Sequence, residues 1–195
     1  MSKNCNKRII VIAAPSGGGK SVVANYILHN FSNICFSISS TTRNKREGEE
    51  NNEHYYFLSK EKFLEKINNG EFVEYEEIHG NYYGTLKSEI DKIFAENKVI
   101  LFDIDVKGAY SIRNQYPEES ILIFLKPPSI ELLEQRLRNR KTESEEQIRT
   151  RIERSKLEIE MSSDFDYIVE NDNLQETLDK VSQIIKENIN TVTSF

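Results

Sequence analysis

Residues 14–21 read A-P-S-G-G-G-K-S, a glycine-rich run closed by one lysine and one hydroxyl residue. The pattern that cradles a phosphate chain is G-x-x-x-x-G-K-[ST], and Ala14 stands here in place of its first glycine. A loop spanning Ala14, Pro15, Ser16, Gly17, Gly18 and Gly19 can curl backbone N–H groups around a polyphosphate. The helix that opens with Lys20, Ser21 and Val22 then turns its positive end toward the same anion. Lys20 is placed to reach the β and γ phosphates, and the Ser21 hydroxyl to ligate Mg²⁺. The bland alternative is a flexible glycine-rich loop. The apolar run before the loop and the helical pattern after it supply the context the phosphate reading requires, so binding of a nucleoside triphosphate is predicted.

Other residues carry possible chemistry farther along. Arg43 and Arg46 are three apart in "TTRNKR" and are followed by Tyr55, Tyr82 and Tyr83. Guanidinium forks and phenols both donate to the oxygens of a phosphate monoester, although two arginines alone describe a solvated loop equally well. In "LFDID", Asp103 and Asp105 lie two apart at the end of an apolar stretch, a spacing that turns strand side chains the same way. Arg136 and Arg140 are four apart on one helical face and Arg151 begins the returning helix, where Glu131, Glu134 and Glu143 offer ordinary ion-pair partners. His29, His54 and His79 have no metal-ligand spacing.

These residues need positioning elements. Five short β-branched stretches recur, at residues 8–14, 34–39, 98–105, 120–126 and 166–170, and helical patterns follow most of them. Apolar strands alternating with helices predict an α/β fold whose parallel sheet is covered on both faces. Residues 39–85 break the rhythm: a polar arginine-rich opening, "SKEKFLEKINNG" with a serine start and a glycine stop, then the aromatic "EFVEYEEIHGNYYG". They read as a small strand-rich insertion. A second break starts at Pro127–Pro128, where two charged helices, residues 129–140 and 144–161, have a composition poor for a core and suited to a mobile cover. The organisation expected is a core of residues 1–38, 86–127 and 162–195, an insertion at 39–85 and a lid at 128–161, with the "PPS" run and Gly84 as hinges.

The 195 residues suit one domain, and a 37% hydrophobic content with no long apolar run predicts no membrane segment. The basic residues ahead of residues 9–14 resemble a secretory leader superficially, but six apolar residues passing into the loop read as a first strand of a cytoplasmic protein. Cys5 and Cys35, thirty apart, indicate neither a disulfide framework nor a zinc site. A net charge of −6 argues against non-specific nucleic-acid binding while leaving room for a locally positive cleft.

With these motifs in view, the chain resembles the guanylate kinases from about residue 8 to residue 188. The matching blocks are "APSGGGKS", "FSISSTTRNKREGE", "HYYF", "EFVEYEEIHGNYYG", "ILFDIDVKGA" and "RLRNRKTESEEQIRTRI", in the family's order and spacing. The departures are Lys45 where proline is usual, Asn52 where glycine is common, and Val22 where a small polar residue often follows the loop. The resemblance implies a P-loop NTPase-type core with a GMP-binding insertion and a helical lid. It implies transfer of phosphate from ATP to GMP, and also to dGMP, with Mg²⁺. By that resemblance Arg43, Arg46, Tyr55 and Tyr83 hold the GMP phosphate, while Ser39, Glu74, Thr85 and Asp105 read the guanine. Asp103 serves the acceptor phosphate or the water shell of Mg²⁺, Arg136, Arg140 and Arg151 are lid arginines, and Asn171 contacts the adenine. Guanine offers N1–H and N2–H₂ as donors, and carboxylates are the strongest acceptors for them. Adenine would leave Glu74 or Asp105 unpaired, at about 1–3 kcal/mol or more per group. The rivals are a non-catalytic guanylate-kinase-like binding module, which tends to lose the loop lysine and lid arginines retained here, and a phosphate-loop kinase for another phosphate ester. Oligomeric state is left open.

Overall fold

The alternating residues of the first strand decide the architecture. β1 (Ile9–Ala13) is buried throughout, with Ile10 and Ile12 in one apolar cluster and Ile9, Val11 and Ala13 in another. A strand apolar on both sides belongs at the centre of a sheet covered twice. The computed structural model, which describes residues 7–78, 80–139 and 144–189, has it there. The chain runs on through α1 (Lys20–Asn30), β2 (Ile34–Phe36), β3 (Ser40–Thr41), β4 (Tyr56–Phe57), α2 (Lys60–Asn68), β5 (Phe72–Ile78), β6 (Asn81–Leu86) and α3 (Lys87–Ala95). It continues with β7 (Val99–Asp103), α4 (Val106–Gln115), β8 (Ser120–Lys126), α5 (Ile130–Asn139), α6 (Glu145–Met161), β9 (Tyr167–Glu170) and α7 (Leu174–Asn188).

The main sheet has the order β2-β7-β1-β8-β9, and every pair in it is parallel. Val23 and Ile27 of α1 pack with Val181 and Ile185 of α7 on one face. Ile90 and Ile93 of α3 and Ala109 and Ile112 of α4 cover the other. The connection leaving β1 runs toward β2 and that leaving its neighbour β8 runs toward β9, in opposite directions, and such a divergence at the carboxyl ends is where an open parallel sheet forms its ligand crevice. The register sets Ile12 beside Asp103, so the acid and the loop after β1 leave the sheet together.

A smaller sheet, β4-β3-β6-β5, is built from residues 40–86. Its helix α2 starts where a serine was expected to start it: Ser59 accepts from the Lys62 N–H, and Gly70 beyond the end adopts φ 66°. Gly84 corrects the hinge expectation. It is a paired residue within β6, opposite Ser40 and Tyr75, and a Cβ there would lie 2.6 Å from the Glu74 carbonyl oxygen. Its missing side chain permits close strand packing rather than bending. Asn52, where glycine was noted as common, adopts φ 67°, a left-handed conformation that asparagine tolerates better than most residues.

Two further expectations change. The stretch expected to run as strand to Asp105 ends at Asp103, and Asp105 instead caps α4, its Oδ1 accepting from the Gly108 N–H at 2.8 Å. Strand alternation therefore does not relate the two acids. Helices α5 and α6, expected to be poor in core residues, also possess a core, since Leu133 and Leu137 of α5 pack with Ile148 and Ile152 of α6. Leu133 and Leu137 also face Gly17 closely enough that a Cβ there would touch both, at 3.5 and 3.4 Å. Arg140 and Glu143 lie outside the described residues.

Candidate active site

The loop after β1 is tied at several points. The Gly18 N–H donates to Pro15 O at 2.8 Å, and Gly19, at φ 87°, is the residue from which α1 begins. No acidic residue occupies the first turn of α1, so the helix presents an uncompensated positive end to the loop. Lys20 Nζ donates to Ala14 O at 3.1 Å and stands 3.8 Å from Asp103 Oδ1. The Ser21 hydroxyl donates to Asp103 Oδ2 at 3.5 Å. Burial pushes the Asp103 carboxyl up, and Lys20 and Ser21 pull it back. A hydroxyl and a carboxylate oxygen side by side are hard donors, the type Mg²⁺ takes in small number while keeping most of its waters. Val22 is exposed.

Asn171, expected at the adenine, also has a place in the loop's support. It is buried, its Nδ2 donates to Gly18 O at 2.8 Å and its Oδ1 accepts from the Thr177 hydroxyl at 3.0 Å. Its Nδ2 end braces the phosphate loop at Gly18, and its Oδ1 end is anchored by Thr177 of α7. Its carbonyl oxygen accepts from Arg136 Nη2 at 3.3 Å, which ties α5 to the same support. Arg151 of α6 donates to the Ser16 hydroxyl, so that helix also touches the loop.

Arg43 lies 5.4 Å from the Tyr55 ring centre, and Tyr55 meets Tyr83 edge-on at 6.2 Å. Sequence reasoning missed what holds this arginine. Glu49 accepts from Arg43 Nη1 at 3.0 Å, from Arg43 Nη2 at 2.7 Å and from the Arg46 N–H at 2.7 Å. The Arg43 guanidinium, with the Arg46 N–H, holds the Glu49 carboxyl down at about 2. The Arg46 side chain is exposed.

Glu74 on β5 pairs with Thr85 on β6, while Thr85 itself is buried within 3.4 Å of the Ser37 hydroxyl. Desolvation raises the Glu74 carboxyl to about 7, against hydrogen bonds from Thr85 and with Asp105 and Glu76 adding to the rise. A cavity of about 800 Å³ joins these parts. Ala14, Ser16, Lys20 and Asp103 line its loop end, Ser39, Tyr55, Glu74, Tyr83 and Asp105 the insertion side, and Arg151 the lid side. Arg43, Arg46, Thr85, Arg136 and Asn171 are not in its lining. The sequence also passed over Arg154, which lines the cavity and bonds Asp105. No motif marks it, because its partners come from three separate elements.

Comparison with known proteins agrees with this geometry. The guanylate kinase family model matches residues 6–188. The chain is 42% identical to the guanylate kinase of Chlorobium luteolum over 94% of its own length and 93% of the relative's. It is 38% identical to that of Thermotoga maritima, covering 95% and 89%. Among solved structures, the crystal structure of guanylate kinase from Anaplasma phagocytophilum superposes with a TM-score of 0.69 at 32% identity, covering 92% of this chain and 85% of that one. A phosphate loop, paired tyrosines and half-buried carboxylates around one cavity, together with these matches along nearly the whole chain, show that the protein belongs to the guanylate kinase family.

Proposed function

We propose that this chain transfers the γ-phosphoryl group of ATP to GMP, giving ADP and GDP, and takes dGMP as well. The observation that carries the reading is that one cavity has phosphate-loop residues at one end and Glu74 and Asp105 at the other. An oxygen of the GMP phosphate is the nucleophile. The second pKa of such a monoester is about 6, so it is largely dianionic at neutral pH and needs no general base. The obstacle is repulsion between two anions, and the protein's task is positioning and countercharge.

Lys20 and the loop N–H groups hold the donor phosphates, with Val22 in the first turn of α1. Arg43, Arg46, Tyr55 and Tyr83 hold the acceptor phosphate, and Ser39, Glu74, Thr85 and Asp105 select the base. Arg136, Arg140 and Arg151 bring positive charge from the lid, which also excludes water as a competing acceptor. Ser21, with Asp103 through its water shell, would hold Mg²⁺, whose charge offsets that of the phosphates. Residues 39–85 form the acceptor unit and 128–161 the lid, both carried on the sheet core, and the setting is cytoplasmic. A ³¹P NMR time course with ATP, Mg²⁺ and GMP tests the reading. One-for-one loss of ATP and GMP with growth of ADP and GDP is expected, and phosphate release to water without GDP would refute it.

A further inference from the structure

Arg154 reaches into the base end of the cavity from the lid helix. Its Nη2 donates to Asp105 Oδ2 at 2.8 Å and to Glu76 Oε1 at 3.2 Å, and its Nε donates to Glu158 Oε1 at 2.9 Å. One guanidinium thus joins α6, strand β5 of the small sheet and the cap of α4. Glu158 sits four residues along the same helix and is only 12% exposed, so it fixes the direction of the arginine head. Asp105 is 21% exposed and is held at both oxygens, by the Gly108 N–H on Oδ1 and by Arg154 on Oδ2.

Glu74, Glu76, Asp105 and Glu158 all line this end of the cavity. Four acids would repel an anionic nucleotide and one another, and Arg154 is the cation bonded to three of them. We propose that Arg154 is a specificity-determining positioning residue, which orients Asp105 toward the base and supplies the countercharge that lets GMP enter. This rests on the reading of Asp105 as a base contact. Arg154 touches neither the phosphate loop nor Asp103 in the bonds above, so its effect falls on the acceptor and spares ATP. A partly exposed pair is worth less than a buried one, which sets the expected scale.

The test is a double-mutant cycle of Arg154→Gln and Asp105→Asn, with GMP and ATP affinities measured calorimetrically on the full chain. Asparagine is as good a helix cap as aspartate, so the second change keeps α4 in place. R154Q should weaken GMP binding about fivefold to tenfold and change ATP binding less than twofold, and R154K should recover part of the loss by keeping the charge. In the D105N background the R154Q effect should shrink clearly but not vanish, since Glu76 and Glu158 still face the nucleotide. An unchanged GMP affinity in R154Q, or an equal loss in both backgrounds, overturns the proposal while leaving the acceptor reading intact. An unchanged GMP affinity in D105N alone overturns the base-reading role of Asp105, and this inference with it.

Discussion

Glu74 carries the sharpest consequence at the scale of single residues. Its folded pKa of about 7 lies above its ordinary 4.5 because burial penalises the charged form. Between those values the folded protein keeps a proton that the unfolded chain has lost, so this group's contribution to stability falls as pH rises from about 4.5 through 7. Glu74→Gln should therefore gain roughly 2 kcal/mol over wild type at pH 8 and little at pH 4.5, read by urea unfolding at both. A pH-independent difference would contradict the assigned environment. The same variant should weaken GMP binding and its selectivity over AMP while leaving ATP binding near normal, and equal losses of both nucleotides would refute the base-reading role. Glu49 is a different case, a carboxylate kept ionised by the arginine it orients. Glu49→Gln should raise the KM for GMP severalfold with kcat less affected, since Arg43 would lose the charge beside it and one of its two bonds, a glutamine having only one acceptor oxygen. An unchanged KM would show that Arg43 needs no such support.

Elements explain which site residues the sequence disclosed. The phosphate loop was legible because its backbone does the work: glycines, a lysine and a hydroxyl at fixed offsets after a strand are the site itself. Gly19 shows the constraint, combining φ 87° with a position where a Cβ would lie 2.5 Å from Asn171 Nδ2. Gly19→Ala should lower ATP affinity at least tenfold and disturb the Asn171 brace, and ATP binding within twofold of wild type would refute the account of the loop. Asn171, Glu49 and Arg154 were not legible in those roles, because each acts through partners brought together by the fold: 153 residues separate Asn171 from Gly18. Helix α4 was passed over because "VKGAYSIRNQ" carries a glycine and only a thin apolar stripe. The lid core was missed because four aliphatics are diluted among charges over two helices. The start of α6 is a full capping box between Ser144 and Gln147. Ser144→Ala should cost about 1 kcal/mol locally, seen as faster amide exchange in the first turns of α6, and unchanged exchange would show that the cap does not matter.

The whole molecule places one cavity between three bodies of structure with different chemistry. The parallel sheet carries the loop and Asp103, the small sheet carries Glu74, Glu76 and Tyr83, and helix α6 carries Arg151 and Arg154, which fits the proposed reaction, whose difficulty is anion against anion. Its overall negative charge does not oppose this, since Lys20, Arg151 and Arg154 are gathered at the cavity. The most direct test is initial-rate ADP release with ATP and Mg²⁺, offering GMP, AMP, CMP and UMP in parallel. Strong turnover with GMP and little with the other three is the predicted result. Comparable rates with AMP, or no turnover from folded protein that still binds GMP, would contradict a site in which half-buried carboxylates choose guanine and the phosphate loop delivers the phosphoryl group.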